Sequence, residues 1–183
     1  GEGSSFCAGA DVTEFGTTPS LHLAREARRQ RDLWWRMERF PKPMVAALHG
    51  WVLGAGLELS LYCDYRVTAG GARIGLPEVR LGYIPSAGGT QTVARTAGRG
   101  AALELALTAE PLTAARALEL GLVSRVVPDG EQRAAAERAA RALLFKSPLA
   151  LRYARESIRA GCDLPLEAAL AVEQRLVSTL ARA

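Results

Sequence analysis

The sequence is poor in the residue types that build metal sites and disulfide frameworks. It has three cysteines and two histidines among 183 residues. Cys7, Cys63 and Cys162 lie far apart and form no CxxC pair, which excludes the usual spacings of a zinc site or a small disulfide scaffold. We therefore expect reduced thiols and no bound metal.

Long apolar runs are also missing. No stretch approaches the roughly 18 uncharged apolar residues that a membrane span needs, and the opening residues have neither the basic start nor the apolar centre of a signal peptide. The sequence therefore predicts a cytoplasmic protein with no membrane contact. Aromatic residues make up only 6% of the chain and hydrophobic residues 49%, so one ordinary domain with an aliphatic core is expected.

The net charge of +4 and the pI near 9.3 suit an anionic partner, either a phosphate-bearing ligand or nucleic acid. Most of the basic residues are arginines, and several cluster in one segment. At helical spacing they fall on more than one face, which favours a solvated helix over a nucleic-acid-binding stripe. We therefore expect no nucleic-acid partner. The clustered residues are Arg25, Arg28, Arg29, Arg31, Arg36 and Arg39.

The pattern of apolar residues and breakers predicts an α/β protein. Short strands are predicted at residues 44–48, 65–69, 73–76 and 123–127. Helices are predicted at 20–39, from the glycine turn at 54–56 onward, and at about 89–97, 100–108, 113–120, 131–145, 147–160 and 165–181. A buried strand such as 44–48 needs a neighbour on each side to satisfy its backbone. We expect those neighbours to lie upstream of this sequence.

Two turns place small residues where a chain can come close to a ligand. One is Cys-Ala-Gly-Ala-Asp at 7–11, and the other is Leu-Gly-Ala-Gly-Leu-Glu at 53–58. Small side chains leave the amide N–H exposed. If the second turn opens a helix, its first amides lack an internal partner and carry the positive end of the helix dipole. Two converging amides would form an oxyanion hole.

Glu58 and Glu78 are the candidate acid/base residues. Glu58 follows Ala55 by three residues, so on a helix it lies one turn along on the same side. Glu78 follows Pro77 at the end of a short strand. Two such carboxylates can act as acid and base on one substrate, although an ordinary turn and a surface glutamate fit the spacing as well. We leave out His22 and His49, because His49 at a strand end favours a structural role.

Several collinear segments resemble the crotonase family, that is, the enoyl-CoA hydratase/isomerase type. Each match is weak alone, but the order and spacing of all of them are specific, and they cover nearly the whole chain. The segments are Gly3-x-x-Phe6-Cys7-Ala8-Gly9-Ala10-Asp11, Lys42-Pro43 with Ala46-Ala47-x-x-Gly50, Leu53-Gly54-Ala55-Gly56-x-Glu58-Leu59, Cys63-Asp64, Gly75-x-Pro77-Glu78-x-x-Leu81-Gly82-x-x-Pro85-x-x-Gly88-Gly89-Thr90-Gln91 and Ala117-x-x-x-Gly121-Leu122-Val123.

The resemblance implies a crotonase-like α/β fold. Residues 1–125 would form a spiral core of repeated ββα units, and residues 126–183 a C-terminal helical region that serves in trimerisation or as a lid. Both parts are expected to be partial, lacking the N-terminal strands and the C-terminal tail. Homotrimers or homohexamers are implied as the assembled form.

The resemblance also implies an enoyl-CoA hydratase of fatty acid β-oxidation, which adds water syn across the C2=C3 bond of a 2-enoyl-CoA thioester. Glu58 and Glu78 would be catalytic, and the N–H groups of Ala10 and Ala55 would form the oxyanion hole. Family members commonly have glycine at position 55, but the backbone donor survives that change. No metal or redox cofactor is implied. The residues expected to bind substrate are Ala8, Gly9, Asp11, Gly54, Pro77, Tyr83, Pro85 and Gly88.

Three alternatives stay open on the sequence. Leu76 stands where some hydratases have glutamine, so a branched acyl group of the methylglutaconyl kind is one candidate. An enoyl-CoA isomerase or other family chemistry is another, because a single glutamate suffices to shuttle a proton. The third is a non-catalytic binding or assembly protein of the same fold that contacts RNA through its basic surface.

Overall fold

The computed structural model describes residues 1–14, 16–17, 20, 22–23, 26 and 32–182. The chain divides into two compact units, one formed by Gly1–Arg39 with Met44–Glu137 and the other by Phe40–Pro43 with Arg138–Ala183. The division at residues 125 and 126 expected from the sequence stays a prediction. Within the described ranges, no helix is both long and apolar enough to cross a membrane.

The strands of the first unit form two three-stranded sheets. One has the order β1-β3-β6 and is parallel throughout; the other has the order β2-β4-β5, in which β2 and β4 are parallel and β5 is antiparallel to β4. The first four strands therefore alternate between the two sheets, whereas β4 and β5 are neighbours in one sheet. The strands are β1 (Val45–Leu48), β2 (Trp51–Leu53), β3 (Tyr65–Ala69), β4 (Arg73–Gly75), β5 (Leu112–Thr113) and β6 (Arg125–Val127).

Helices follow the strand pairs, so that β1-β2-α2 and β3-β4-α3 are two ββα units. Thr113 and Ser147 cap α4 and α6 by accepting the N–H groups of Arg116 and Ala150, as helix N-termini require. The helices of the described residues are α1 (Leu33–Glu38), α2 (Ala55–Leu61), α3 (Gly89–Thr108), α4 (Ala114–Glu119), α5 (Gln132–Leu143), α6 (Pro148–Gly161) and α7 (Leu166–Leu180).

Apart from the helix expected at 20–39, the predicted helices and strands are found, with ends shifted by a few residues. The helices expected at 89–97 and 100–108 are the two halves of α3, which is kinked at Gly98 (φ 85°, ψ 162°). Strands β2 and β5 are not predicted from the sequence, because they have only three and two residues. The prediction of one helix over 20–39 is wrong at Asp32, which is non-helical (φ −66°, ψ 84°) and whose side chain caps α1 by accepting the N–H of Trp35. Arg25, Arg28, Arg29 and Arg31 lie outside the described residues.

Among the described strands, β1 has a neighbour on one side. It pairs with β3 from Val45 to Leu48, and none of the described strands pairs with its other edge. Ala46 and Leu48 are nevertheless buried on one face of the strand. The sequence-based expectation of a strand with unmet partners agrees with this arrangement.

The core of the first unit is aliphatic, as the composition predicts. Its largest fully buried side chains are leucines, isoleucines and valines contributed by both sheets, by α2 and α3, and by the segment before β6. The buried polar or charged side chains in the described ranges are Glu58, Ser60 and Thr68. Burying a carboxylate in such a core requires hydrogen-bond partners for it, and these partners define the site described below.

The second unit is built around a helical hairpin. Helices α6 and α7 pack against each other, with Leu176 buried on α7. Arg155 on α6 donates a hydrogen bond to the carbonyl of Phe40, which joins the short segment Phe40–Pro43 to this unit.

Candidate active site

The first of the two small-residue turns is joined to the second by strand-like pairing. Cys7 forms an isolated parallel bridge with Val52. Its N–H donates to the carbonyl of Trp51 at 3.2 Å, and its carbonyl accepts the N–H of Leu53 at 3.0 Å. Cys7 therefore extends the edge of β2 and places residues 8–10 beside residues 53–55.

Glycine lets the two turns approach this closely. A Cβ atom on Gly56 would lie 2.3 Å from the carbonyl oxygen of Cys7, and this distance is too short for any side chain. Gly9 has φ +112°, and its Cβ position lies 3.9 Å from the amide nitrogen of Ala55. Among the described residues, neither Ala10 nor Ala55 donates its N–H to another protein group. Two free backbone donors thus lie on neighbouring turns.

Glu58 is held by the backbone at the start of α3. Its side chain is 2% exposed, and its Oε1 accepts the N–H groups of Ala87 at 2.8 Å and Gly89 at 2.7 Å. A Cβ on Gly89 would lie 2.9 Å from that same oxygen, so glycine is needed for the short contact. Both hydrogen bonds go to Oε1 of Glu58, and neither involves its Oε2.

Glu78 opens the short 3₁₀ helix Glu78–Leu81. Its Oε2 is buried and has no hydrogen-bond partner among the described residues. Burial raises the pKa of the Glu78 carboxyl above its usual value, and the negative charge of Glu58 raises it further, while its own backbone N–H acts in the opposite direction. The environment therefore favours the protonated acid, which is the form that can donate a proton.

The two glutamates and the two free amides line one cavity of about 110 Å³. Of the residues proposed from the sequence, it brings together Ala8, Gly9, Ala10, Gly54, Ala55, Glu58, Pro77, Glu78 and Tyr83. Val12, Leu81, Ile84 and Ser86 complete the lining.

Asp11, Pro85 and Gly88 do not line this cavity. Asp11 is exposed, and its Oδ1 accepts the backbone N–H and the hydroxyl of Thr13 at 2.9 and 2.7 Å, which lowers its pKa. Pro85 is buried, with its Cβ 3.0 Å from the Cβ position of Gly89. Pro85 and Gly88 therefore shape the loop that holds Glu58, and their roles in binding a substrate stay predictions.

Sequence reasoning missed the apolar rim of the cavity and the donors to Glu58. Val12, Leu81 and Ile84 are 53%, 54% and 71% exposed, and they belong to loops or 3₁₀ turns where no periodic pattern identifies them. Ala87 and Gly89 act through their backbones, so side-chain chemistry gives no signal. His49, left out of the catalytic set, has its Nε2 3.2 Å from the carbonyl oxygen of Gly3 and does not line the cavity.

Comparison with known proteins agrees with this architecture. The family model for enoyl-CoA hydratase/isomerase matches residues 1–183. The chain is 40% identical to the 2,3-dehydroadipyl-CoA hydratase of Escherichia coli K12 over 181 residues, which is 99% of this chain and 70% of that protein. It is 36% identical to the short-chain-enoyl-CoA hydratase of Clostridium acetobutylicum, over 92% of this chain and 65% of that protein.

Solved structures have the same fold over the full length of the chain. An enoyl-CoA hydratase subunit of Geobacillus kaustophilus superposes with a TM-score of 0.93 at 36% identity, covering 100% of this chain and 70% of its own. The enoyl-CoA hydratase of Bacillus anthracis gives 0.91 at 37% identity, with coverages of 100% and 71%. The chain thus spans about two thirds of the length of these relatives, has the crotonase fold and belongs to the enoyl-CoA hydratase/isomerase family.

Proposed function

We propose that this protein is an enoyl-CoA hydratase, which adds water reversibly across the C2=C3 bond of a 2-enoyl-CoA thioester. One observation carries the proposal: Glu58, Glu78 and the backbones of Ala10 and Ala55 line a single cavity. Hydration needs a site that places water, donates a proton and stabilises negative charge on the thioester oxygen. The cavity contains a candidate group for each of these tasks.

The amides of Ala10 and Ala55 are the proposed oxyanion hole. Addition of water at carbon 3 drives negative charge through carbon 2 onto the thioester oxygen, giving an enolate-like transition state. Two backbone donors fixed in advance stabilise that charge more than the neutral substrate, and such preorganised donors lower the barrier of the reaction. Ala55 is the first residue of α2, so the positive end of the helix dipole adds to the effect.

The carboxylates are the proposed acid/base pair. Glu58 and Glu78 hold the water between them, and the Glu58 carboxylate accepts the proton that the water loses as its oxygen bonds to carbon 3. Glu78 delivers a proton to carbon 2, a role that its raised pKa supports. After product release, Glu58 gives up its proton and Glu78 takes one up, which restores the starting state of the pair. Substrate and water together supply every atom of the 3-hydroxyacyl-CoA product and the addition involves no net oxidation or reduction, so the proposed reaction needs no redox cofactor.

Relatives support hydration as the reaction, since the Escherichia coli and Clostridium acetobutylicum proteins are both hydratases by name. We further propose that an acyl-CoA thioester is the substrate, with coenzyme A bound as part of it. Assembly into a homotrimer or homohexamer, a place in β-oxidation and a cytoplasmic location stay predictions from the sequence.

Loss of the absorbance of the conjugated thioester on mixing crotonyl-CoA with the full-length protein tests the proposal. Wild type is compared with Glu58→Gln and Glu78→Gln, because glutamine keeps the shape and the acceptor oxygen but cannot exchange a proton. The matched control is Glu119→Gln, whose exposed carboxylate pairs with Arg116 on the surface. We expect turnover in wild type and control, and a loss of roughly 10²-fold or more in each site variant.

Hydration that survived Glu58→Gln would contradict the paired acid/base assignment. In that case the migration of a double bond in a 3-enoyl-CoA would be assayed, because an isomerase can work with one carboxylate. Absence of turnover on straight-chain, branched and aromatic enoyl-CoAs, together with absence of coenzyme A binding, would contradict enzymatic function. Salt-dependent RNA binding under those conditions would favour the non-catalytic alternative.

A further inference from the structure

The loop at residues 87–89 is held by α2 at two points. Glu58 and Tyr62 are four residues apart, so they lie one above the other on the same face of the helix and its C-cap. Glu58 accepts the N–H of Ala87 at 2.8 Å. The Tyr62 hydroxyl donates to the carbonyl of that same Ala87 at 3.1 Å. One residue of the loop is therefore fixed on its amide side by one side chain and on its carbonyl side by the other.

The fit between Tyr62 and the loop is close. Gly88 has φ +105°, and a Cβ atom there would lie 2.6 Å from the Tyr62 hydroxyl oxygen. The Tyr62 ring packs on Trp34 with ring centroids 5.7 Å apart, which limits how the hydroxyl can move. Burial raises the pKa of Tyr62, and the charges of Glu38, Glu58 and Asp32 raise it further. The hydroxyl therefore remains protonated and a donor through the neutral range.

We propose that Tyr62 is a positioning residue for the reaction, acting through the loop at 87–89 on the carboxylate of Glu58; this rests on the proposed hydratase function. Its hydrogen bond to the Ala87 carbonyl holds the loop so that the N–H groups of Ala87 and Gly89 stay directed at Glu58 Oε1. Tyr62 does not line the cavity, so it acts on the orientation of the acid/base group and not on the substrate. Small misplacements of a catalytic group reduce turnover more than binding.

Tyr62→Phe tests this role, because it removes the hydroxyl and keeps the ring on Trp34. The matched control is Tyr65→Phe on β3, where the ring packs in a separate cluster with Val67. For Tyr62→Phe in the full-length protein we expect kcat for crotonyl-CoA to fall roughly three- to tenfold, which corresponds to the free energy of one neutral hydrogen bond. We expect KM to change less than about twofold. Amide hydrogen exchange at Ala87 and Gly89 is expected to accelerate. Tyr65→Phe is expected to change none of these quantities.

Two results would overturn the proposal. Unchanged exchange at Ala87 and Gly89 would mean that Tyr62 does not hold the loop, whatever happens to kcat. A fall in kcat matched by an equal fall in the folded fraction would indicate a purely structural role. The exchange measurement also separates this proposal from the function: if wild type fails to hydrate enoyl-CoAs while exchange accelerates in Tyr62→Phe, the hydratase assignment fails and the role of Tyr62 in holding the loop stands.

Discussion

Gly54 and Glu78 are in contact: a Cβ atom on Gly54 would lie 2.9 Å from Oε1 of the Glu78 carboxylate. Gly54 also has φ 51° and ψ −123°, a conformation that only glycine adopts at low energy. The residue just before α2 thus accommodates the carboxylate and directs the following Ala55 amide. Both the proposed acid, Glu78, and one proposed oxyanion donor, the Ala55 amide, therefore depend on the absence of a side chain at Gly54.

We expect Gly54→Ala to abolish measurable hydration, because the added methyl displaces Glu78 and the backbone conformation becomes strained. The free energy of unfolding is expected to fall by about 1–3 kcal/mol. Gly130→Ala is the control, since Gly130 also has positive φ, at +88°, but nothing within 4 Å of its Cβ position. The initial rate with crotonyl-CoA and denaturant unfolding measure the two effects. Full activity in Gly54→Ala would disprove the importance of the contact.

Gly56→Ala tests the approach of the two turns. A methyl group would lie 2.3 Å from the carbonyl oxygen of Cys7, so residues 7–10 must move away from β2 and the Ala10 amide moves with them. We expect the loss of one oxyanion donor to lower kcat by roughly 10²- to 10³-fold. Gly100→Ala, a helical glycine of α3 in open space, is the matched control and is expected to stabilise the protein by about 0.5–1 kcal/mol. A Gly56→Ala enzyme as active as the control would refute the proposed oxyanion hole.

Glu78 is expected to make stability depend on pH. Burial and the charge of Glu58 raise its pKa in the folded protein above the ordinary 4.5. The folded state therefore binds this proton more tightly than the unfolded chain, and the resulting stability is fully present below the unfolded pKa and lost as the pH rises through the folded pKa. Glu78→Gln removes this dependence, so we expect the variant to gain stability relative to wild type as the pH increases.

Melting temperatures of wild type and Glu78→Gln at about pH 4 and about pH 8 measure this difference. Glu119→Gln, at an exposed salt bridge, controls for the general effect of removing a carboxylate. A melting temperature of Glu78→Gln that fell relative to that of wild type as the pH rose would contradict the raised pKa.

The apolar rim of the cavity is expected to contact the acyl chain. Leu81 lines the cavity and is 54% exposed. If the acyl chain covers it, Leu81→Asp removes apolar contact and adds a negative charge near Glu58 and Glu78. We expect kcat/KM to fall roughly tenfold for medium-chain substrates and less for crotonyl-CoA. Leu107→Asp, on the exposed face of α3, is the control. A loss independent of chain length would assign the contact to another part of the thioester.

Much of the architecture could be predicted because it rests on local patterns. The apolar run 44–48 between Pro43 and Gly50 identified β1, and Pro, Gly, Ser and Thr marked the ends of the helices in the second half. β2 was missed because three residues carry too little alternation to identify a strand. Trp51–Leu53 are a strand because β4 and Cys7 pair with them, and such partners are distant in sequence.

By itself, the sequence determined the two candidate acid/base glutamates and the two turns of small residues, because these features depend on residue type and on the spacing of neighbours along the chain. The collinear motifs added the family. Only the tertiary structure decided that the carbonyl of Cys7 meets Gly56, that Glu78 lies against Gly54, and that Ala87 and Gly89 hold Glu58. Those contacts join segments that are tens of residues apart, and backbone groups make most of them. No local pattern of side chains therefore predicts them. The tertiary structure therefore places Glu58 and Glu78 on one cavity.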